Sequence, residues 1–423
     1  MVAVKLMKCM AQSESGRGEI GRESPTVSEW RKAAATSGLA FCLYFLQLNR
    51  ASGDNHADFR YETYNEEKGR IGVESETGLF EVAITPWLSL KGEVVYDAIS
   101  GATPTGAPPP SKINFAVPQT GPLSDQVPVA MMRDYRTAGS FDAGFSFGPH
   151  HITPQFSYSE EHDYVSYGAA LNYALDLNQK NTTLNFGWSH DWDRVLPYAG
   201  TYIYQAQGKD SDQVLAGINQ LLGKNTTLTL DFTYGDVRDY LSDPYRGVVF
   251  GDYPQVDANS ISLFGEKRPR QRHSYTGYAS LTHFVTLLQG SAELNYRFYY
   301  DTYGIAAHTV EAAWHQKLGH RVTLSPVFRY YRQSAAGFYA TQFAGDPSDP
   351  SNPTPVPSYY SSDYRLSEME TFSIGISLTA KLGDRLTIDL AYQRYNMQGL
   401  DGITSQSAYP KANIVTLGAR LWF

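Results

Sequence analysis

From about residue 57 onward the chain repeats one pattern: roughly ten to seventeen residues that alternate apolar with polar or small, then a break. Between 292 and 301, Ala292, Leu294, Tyr296, Phe298 and Tyr300 share one parity, while Glu293, Asn295, Arg297, Tyr299 and Asp301 share the other. Residues 183–191, 227–235, 371–381 and 385–393 read the same way; in the last, Leu386, Ile388, Leu390 and Tyr392 oppose Thr387, Asp389, Ala391 and Gln393. Period two predicts strands with one face for hydrocarbon and one for water. Residues 71–84 are less regular. Ile71, Val73 and Leu79 share one parity and Val82 and Ile84 the other, which predicts a bulge near 79–81.

Alternation alone does not separate a soluble sandwich from a membrane barrel. The breaks do. Short turns fall at 85–87, 148–150, 178–181, 222–225, 287–290, 318–321 and 382–385. Between them lie the other connections, several of them long, at roughly 100–132, 194–210, 236–270, 334–364 and 398–410. Long and short never exchange places. That sorting predicts an all-β fold, a transmembrane antiparallel up-and-down β-barrel of about 16 strands, with 14 and 18 as the neighbouring alternatives. Short turns are expected in the periplasm and long loops outside the cell. The C-terminus agrees: Val415, Leu417, Ala419, Leu421 and Phe423 share a face and the chain ends on the aromatic. Leu421 and Phe423 are similar to the terminal signal that barrel-assembly machinery recognises in Gram-negative outer membranes.

Composition sharpens this picture. Of 423 residues, 42% are hydrophobic and only 18% charged, with 31 Tyr and 20 Phe, an excess of aromatics over charge for a soluble chain. Tyr61, Tyr64, Tyr96, Tyr164, Tyr299, Tyr300, Tyr330, Tyr331 and Tyr395 cluster near strand ends, where aromatic girdles are expected. Ordinary strand propensity of tyrosine accounts for part of that clustering. No apolar stretch of about 18 residues occurs, which excludes a helical membrane protein. The net charge of −8 argues against nucleic acid as a partner. Arg31 and Lys32 precede the apolar run 39–48, and small residues follow at 51–53, as in an export signal. Residues 1–53 are therefore expected to be a leader, with a retained anchor or a lipidated Cys42 as lesser alternatives and a later true start, for instance at Val27. Residues 54–423 form one barrel domain. Cys9 and Cys42 both fall in the leader, so the exported chain carries no thiol chemistry.

With the apolar parity assigned to lipid, Glu74, Glu76, Lys91, Glu93, Asp97, Asp231, Glu293, Arg297, Glu311, Lys317, Arg329, Asp389 and Arg420 are expected to face the lumen. Charges of both signs suit a wet, weakly selective pore; solvating the interior and interlocking the strands is the alternative. Enzyme signals are weak. The histidines in 159–164 and 189–193 stand beside acids, but neighbours on a strand point to opposite faces, so no convergent ligand set is expected. His162 with Asp163 offers at most half of a barrel-protease constellation. No G-x-S-x-G, P-loop or dinucleotide fingerprint is present. No catalytic, metal or cofactor-binding residues are expected. The segment 345–358, rich in Asp, Ser, Asn and Pro, reads as a solvated, extended or disordered loop.

The stretches 57–75 and 88–109 and the terminal 419–423 resemble a family of Gram-negative exported proteins catalogued as domain of unknown function 3570. Its most specific element is Tyr96-Asp97-Ala98-Ile99-Ser100-Gly101-Ala102-Thr103-Pro104. The resemblance implies an outer-membrane barrel in a Gram-negative bacterium and brings no agreed activity. Members often stand beside small lipoproteins, thioredoxin-like proteins and a flavin-attaching enzyme. The leading expectation is a porin-type passive channel for small solutes, with outer-membrane lipid and lipopolysaccharide as its surroundings. A scaffold for a periplasmic or surface redox partner, flavoprotein or cytochrome, or for a lipoprotein, is the alternative. An outer-membrane rim hydrolase acting on lipid or peptide is the third. By analogy with sixteen-stranded porins, a homotrimer is among the expected assemblies. Within the family motif, Tyr96 is expected in the outer girdle and Asp97 at the pore mouth. Ser100 and Gly101 should release the chain there, and Thr103, Pro104 and the following prolines should keep the exit extended and unpaired.

Overall fold

The computed structural model describes residues 55–423; the expected leader, with Cys9, Cys42 and the export signal, lies outside the described residues. The strands are β1 (His56–Glu66), β2 (Gly72–Thr85), β3 (Leu88–Pro104), β4 (Val129–Phe147), β5 (His150–Glu160), β6 (Tyr164–Leu177), β7 (Thr182–Val195), β8 (Gln207–Gly223), β9 (Thr226–Asp239), β10 (Gly247–Val248), β11 (Phe264–Gly265), β12 (Gln271–Val285), β13 (Gly290–Asp301), β14 (Ala306–Leu318), β15 (Val322–Gln333), β16 (Met369–Leu382), β17 (Leu386–Gly399) and β18 (Lys411–Trp422). All but β10 and β11, which pair only with each other, form one closed antiparallel barrel of sixteen strands. Closure runs through β1 and β18, from His56 opposite Trp422 to Glu66 opposite Ala412. Closure leaves no sheet edge, so the backbone donors and acceptors are paired where a bilayer would offer none. No helix among the described residues is long and apolar enough to cross a membrane.

The connections sort by end, as the sequence predicts. At one end strands are joined by turns of two to four residues, the longest being 178–181 and 286–289. At the other end run 105–128, 196–206, 240–270, 334–368 and 400–410. The parity of β13 is also as read: Leu294, Tyr296, Phe298 and Tyr300 are exposed on the outside, opposite Leu281, Ala279, Gly277 and Tyr275 of β12. Phe186, Trp188, Val214, Phe232, Ile374, Ile376, Leu390 and Leu417 continue the same apolar belt.

Strand β2 departs from its predicted pattern. Its register is unbroken from Gly72 to Glu81 with β1 and from Gly72 to Ala83 with β3, and the irregularity sits at Ala83–Thr85 rather than at 79–81. Gly78 is opposite the outward Val94, so Phe80, Val82 and Ile84 face out while Val73 and Leu79 face in. Glu74 and Glu76 consequently lie on the outer face, not in the lumen. They occupy the long-loop half of the strand, Glu76 opposite Tyr96, where a lipid-facing charge costs only about 0–1 kcal/mol against roughly 2–4 at the bilayer midplane.

The tyrosines divide as well. Tyr61, Tyr96, Tyr300 and Tyr330 face outward, as a girdle requires, whereas Tyr64, Tyr164, Tyr299, Tyr331 and Tyr395 are on the inward parity near the long-loop mouth. Strand β3 does not release the chain at Ser100. It stays paired with β4 as far as Pro104 opposite Val129. Gly101 adopts φ +128 because the carbonyl of Arg70, from the β1–β2 turn, packs where a Cβ would stand. The prolines beyond it are buried: Pro108, Pro109 and Pro110, with Ala107 before them, lie inside the packed loops.

Candidate functional site

The long loops fold into a cap. Gly247 N donates to Thr105 O at 2.8 Å and Arg246 Nη2 to Thr103 Oγ1 at 3.1 Å. Phe343 N donates to Val249 O at 3.0 Å, Gln342 Nε2 to Lys112 O at 2.8 Å, and Val127 N to Ser407 Oγ at 2.9 Å. The connections 105–128 and 240–270 arise six strand positions apart on a ring of sixteen, so their contact spans the mouth. Val248, Val249 and Phe250 at the centre are at most 1% exposed, with Phe250 edge-on to Phe264 and Tyr360. Burial of such side chains contributes about 1.5–3 kcal/mol each. Segment 345–358 is a run of side-chain turns, in which Asp346 accepts from Ser348 and Asp349 from Ser351, rather than a shapeless loop.

Charges lock the cap to the barrel. Asp363, 1% exposed, accepts from Arg365 Nε at 2.9 Å and from Arg268 Nη2 at 2.8 Å. Burial alone would raise its carboxyl; Arg365, with Arg246 and Arg268, outweighs that and holds it well below the ordinary carboxylate range. Arg268 also meets Glu266 at 2.6 Å, and Arg365 reaches Asp243. Arg272, on the inner wall, pairs with the fully buried Asp301. Glu266, by contrast, is raised by burial, with Arg268 opposing.

Beneath the cap lies a cavity of about 970 Å³. Its wall carries Tyr164, Tyr240, Tyr245, Tyr299, Tyr303 and Tyr331, the cations Lys209, Arg268, Arg272, Arg297 and Arg365, and the acids Glu161, Asp163, Asp243 and Asp363. Tyr164, Tyr299 and Tyr331 are residues that a girdle reading misplaces, and burial raises the hydroxyls of the loop residues Tyr240 and Tyr303 to about 12. At pH 7 they are neutral donors.

At one side of this cavity Asp134, Glu161 and Asp163 bring carboxylate oxygens within 4.8 Å of one another. His162 Nδ1 stands 2.6 Å from Asp134 Oδ1, and Arg136 Nε 3.9 Å from Glu161. The expectation that neighbouring acids diverge fails because 161–163 is a turn between β5 and β6, so Glu161 and Asp163 converge on Asp134 of β4. Three carboxylates at this spacing could hold a divalent cation. Burial, then Asp134 and Asp163, raise the Glu161 carboxyl above its ordinary 4.5. A raised acid resists ionising in the fold, so its penalty is absent below that ordinary value and grows as pH rises above it. Glu161→Gln is therefore expected to raise the melting temperature, read by heat-modified gel mobility, near pH ~7 and to leave it unchanged near pH ~4. Equal melting shifts at both pH values would contradict this account.

The second histidine cluster points outward. His190 Nδ1 meets Asp212 at 2.8 Å, Arg238 bridges Asp212 and Asp236, and His273 lies 3.3 Å from Asp236, with His190 between Trp188 and Trp192. On the inward parity of β7, Asp193 pairs with Lys209 at 3.0 Å.

Of the residues expected in the lumen, Lys91, Glu93, Asp97, Asp231, Glu293, Arg297, Glu311, Lys317, Arg329, Asp389 and Arg420 lie on the inward parity. Asp97 accepts from Ser75 Oγ and lies 3.5 Å from Arg136; Arg420 pairs with Asp58, and Arg329 lies 3.9 Å from Glu311. Within the rim motif, Tyr96 stacks on Tyr135 and Thr103 anchors Arg246. Leu421 is opposite Ala57, and Phe423 N donates to Asn55 O at 3.0 Å.

No curated protein matches the chain. Among solved structures it is similar to CdiB from Acinetobacter baumannii, at 9% identity and TM-score 0.48, over 88% of this chain and 61% of that one. It is also similar to a bacterial polysaccharide outer membrane secretin, at 8% identity and TM-score 0.45, over 88% of this chain and all of that one. The siderophore receptor PirA from Pseudomonas aeruginosa matches at 11% identity and TM-score 0.40, over 88% of this chain; the chain spans 62% of that receptor's length. The model of a protein family of unknown function, DUF3570, matches residues 42–413, and the chain belongs to that family.

Proposed function

We propose that the protein is an outer-membrane channel for small solutes, with its long-loop end outside the cell and its flow restricted by the cap. The observation that carries this reading is the inner wall. Its inward parity is lined by charges of both signs and continues under the cap into the 970 Å³ cavity, a polar path rather than a packed core. A barrel of sixteen strands is wide enough to hold water along its axis. The cap favours slow, selective passage over the open pore of a general porin, because its core ties together loops from widely separated strands. Reconstituted in a planar bilayer, the protein should give small, discrete conductance steps. Absence of steps at every voltage, in both the wild type and a variant whose cap has been loosened, would overturn the channel reading.

A second reading, hydrolysis at the rim, is favoured by the Asp134–His162 pair beside two further carboxylates. It is weakened by the burial of Asp134 and Asp163, each less than 10% exposed.

A further inference from the structure

We propose that the cavity beneath the cap is a binding site for a small organic monoanion, an aromatic carboxylate, held at Arg297. This names the solute class of the channel proposed above and rests on that reading. Five cations line the cavity, and four are already matched: Lys209 by Asp193, Arg268 by Glu266 and Asp363, Arg272 by Asp301, and Arg365 by Asp243 and Asp363. Among the described residues only Arg297, of these five, forms no ion pair. Its planar fork of donors fits a carboxylate bidentately.

The neighbours of Arg297 complete the site. Thr309 is directly opposite it on β14, and Thr276 and Tyr299 face each other one step nearer the cap. Tyr331, opposite Thr309 on β15, adds a ring and a hydroxyl. Hydroxyls there can donate to the anion, and tyrosine faces can take an aromatic body. The charge balance selects a monoanion. One unmatched guanidinium neutralises one carboxylate, while Glu161 and Asp163, which pair with none of these five cations, disfavour a second negative charge. The opposite end of the barrel agrees, since a pocket of about 400 Å³ there is lined by Lys317, His320, Arg321 and Lys381 and by no acid.

The test is calorimetric titration of the full barrel, refolded in detergent, with benzoate, inorganic phosphate and benzylamine. Benzoate should bind with millimolar affinity or tighter, phosphate more weakly, and benzylamine not at all. Arg297→Gln should weaken benzoate roughly tenfold or more, the loss of one charge-assisted pair. Lys224→Gln, in the exposed 224–225 turn, should leave that affinity unchanged. Should Arg297→Gln fail to fold, Arg297→Lys keeps the charge but not the fork and should still weaken benzoate. No heat with benzoate, equal affinity in the Arg297 variants, or phosphate binding more tightly than benzoate would each overturn the proposal. Because titration needs no current, benzoate binding without conductance would sink the channel and keep the site. Conductance without benzoate binding would do the reverse.

Discussion

Asp363→Ala is expected to open the cap. The alanine leaves Arg365 and Arg268 facing a buried gap, where Asp363 had accepted both guanidinium groups and the Arg365 backbone N–H. Breaking a buried pair by removing one partner costs about 3–5 kcal/mol; the lower end applies here, because Arg365 is half-exposed and keeps Asp243, and Arg268 keeps Glu266. The barrel itself should survive, since its ladders do not pass through this residue. The loss therefore falls on the contacts of 240–270 with 334–368. Two readouts should move together: limited proteolysis within 334–368 should accelerate by at least roughly a hundredfold, and single-channel conductance should rise. Asp363→Asn keeps the shape without the charge and should fall between the two. The stabilising effect of the carboxylate is present above its ordinary 3.8 and is lost only as pH falls through its lower folded value, so mild acid should not mimic the variant. An Asp363→Ala protein as protease-resistant as wild type, with unchanged conductance, would remove the ionic lock from this account.

The second large effect is expected at Gly106. Its φ of +104 is one that a side chain rarely adopts, and a Cβ there would meet the carbonyl oxygen of Gly247. Gly106→Ala therefore combines backbone strain of about 1–3 kcal/mol with a collision against backbone that has no rotamer to yield. The contact that must part is the hydrogen bond from Gly247 to Thr105, which joins the loop after β3 to the loop after β9. Gly121, in the same loop at φ +86, has open space around its missing Cβ and supplies the control. Gly121→Ala shares the backbone strain without the collision, so it should lose far less protease resistance than Gly106→Ala and should not raise conductance, as Gly106→Ala should. Indistinguishable variants would mean that the junction does not hold the cap.

The barrel was legible because lipid imposes a single rule on every strand, and β13 obeys it at each outward position. Strand β2 was misread because Val73 and Leu79 face inward, and an apolar residue on the wet face looks like a shifted register. The divided tyrosines have a similar cause: residues near strand ends alternate like any others, and propensity does not say which side holds water. The acid cluster needed the third dimension. Asp134 and Asp163 are brought together only by the register of β4, β5 and β6. The cap was the least visible feature. Its loops are rich in Asp, Ser and Pro, and their buried apolar residues are as sparse as the triplet 248–250. A small core assembled from four separate connections carries no periodicity for a strand-by-strand reading to find.

That dispersion also sets an order of events. The cap joins Lys112 to Gln342 and Val127 to Ser407, pairs separated by 230 and 280 residues. Contacts of such sequence separation are late, because the intervening chain must first lose its freedom. Ser407 lies in the last long connection, just before β18, and β18 is the strand that closes against β1. Until the last long connections have been delivered, the earlier loops lack part of their partners, and the cap is incomplete. On the orientation proposed above, with the long loops outside the cell, they would cross the membrane one at a time in that state. The composition that hides the cap from a sequence reader is thus what lets its pieces travel before the core exists.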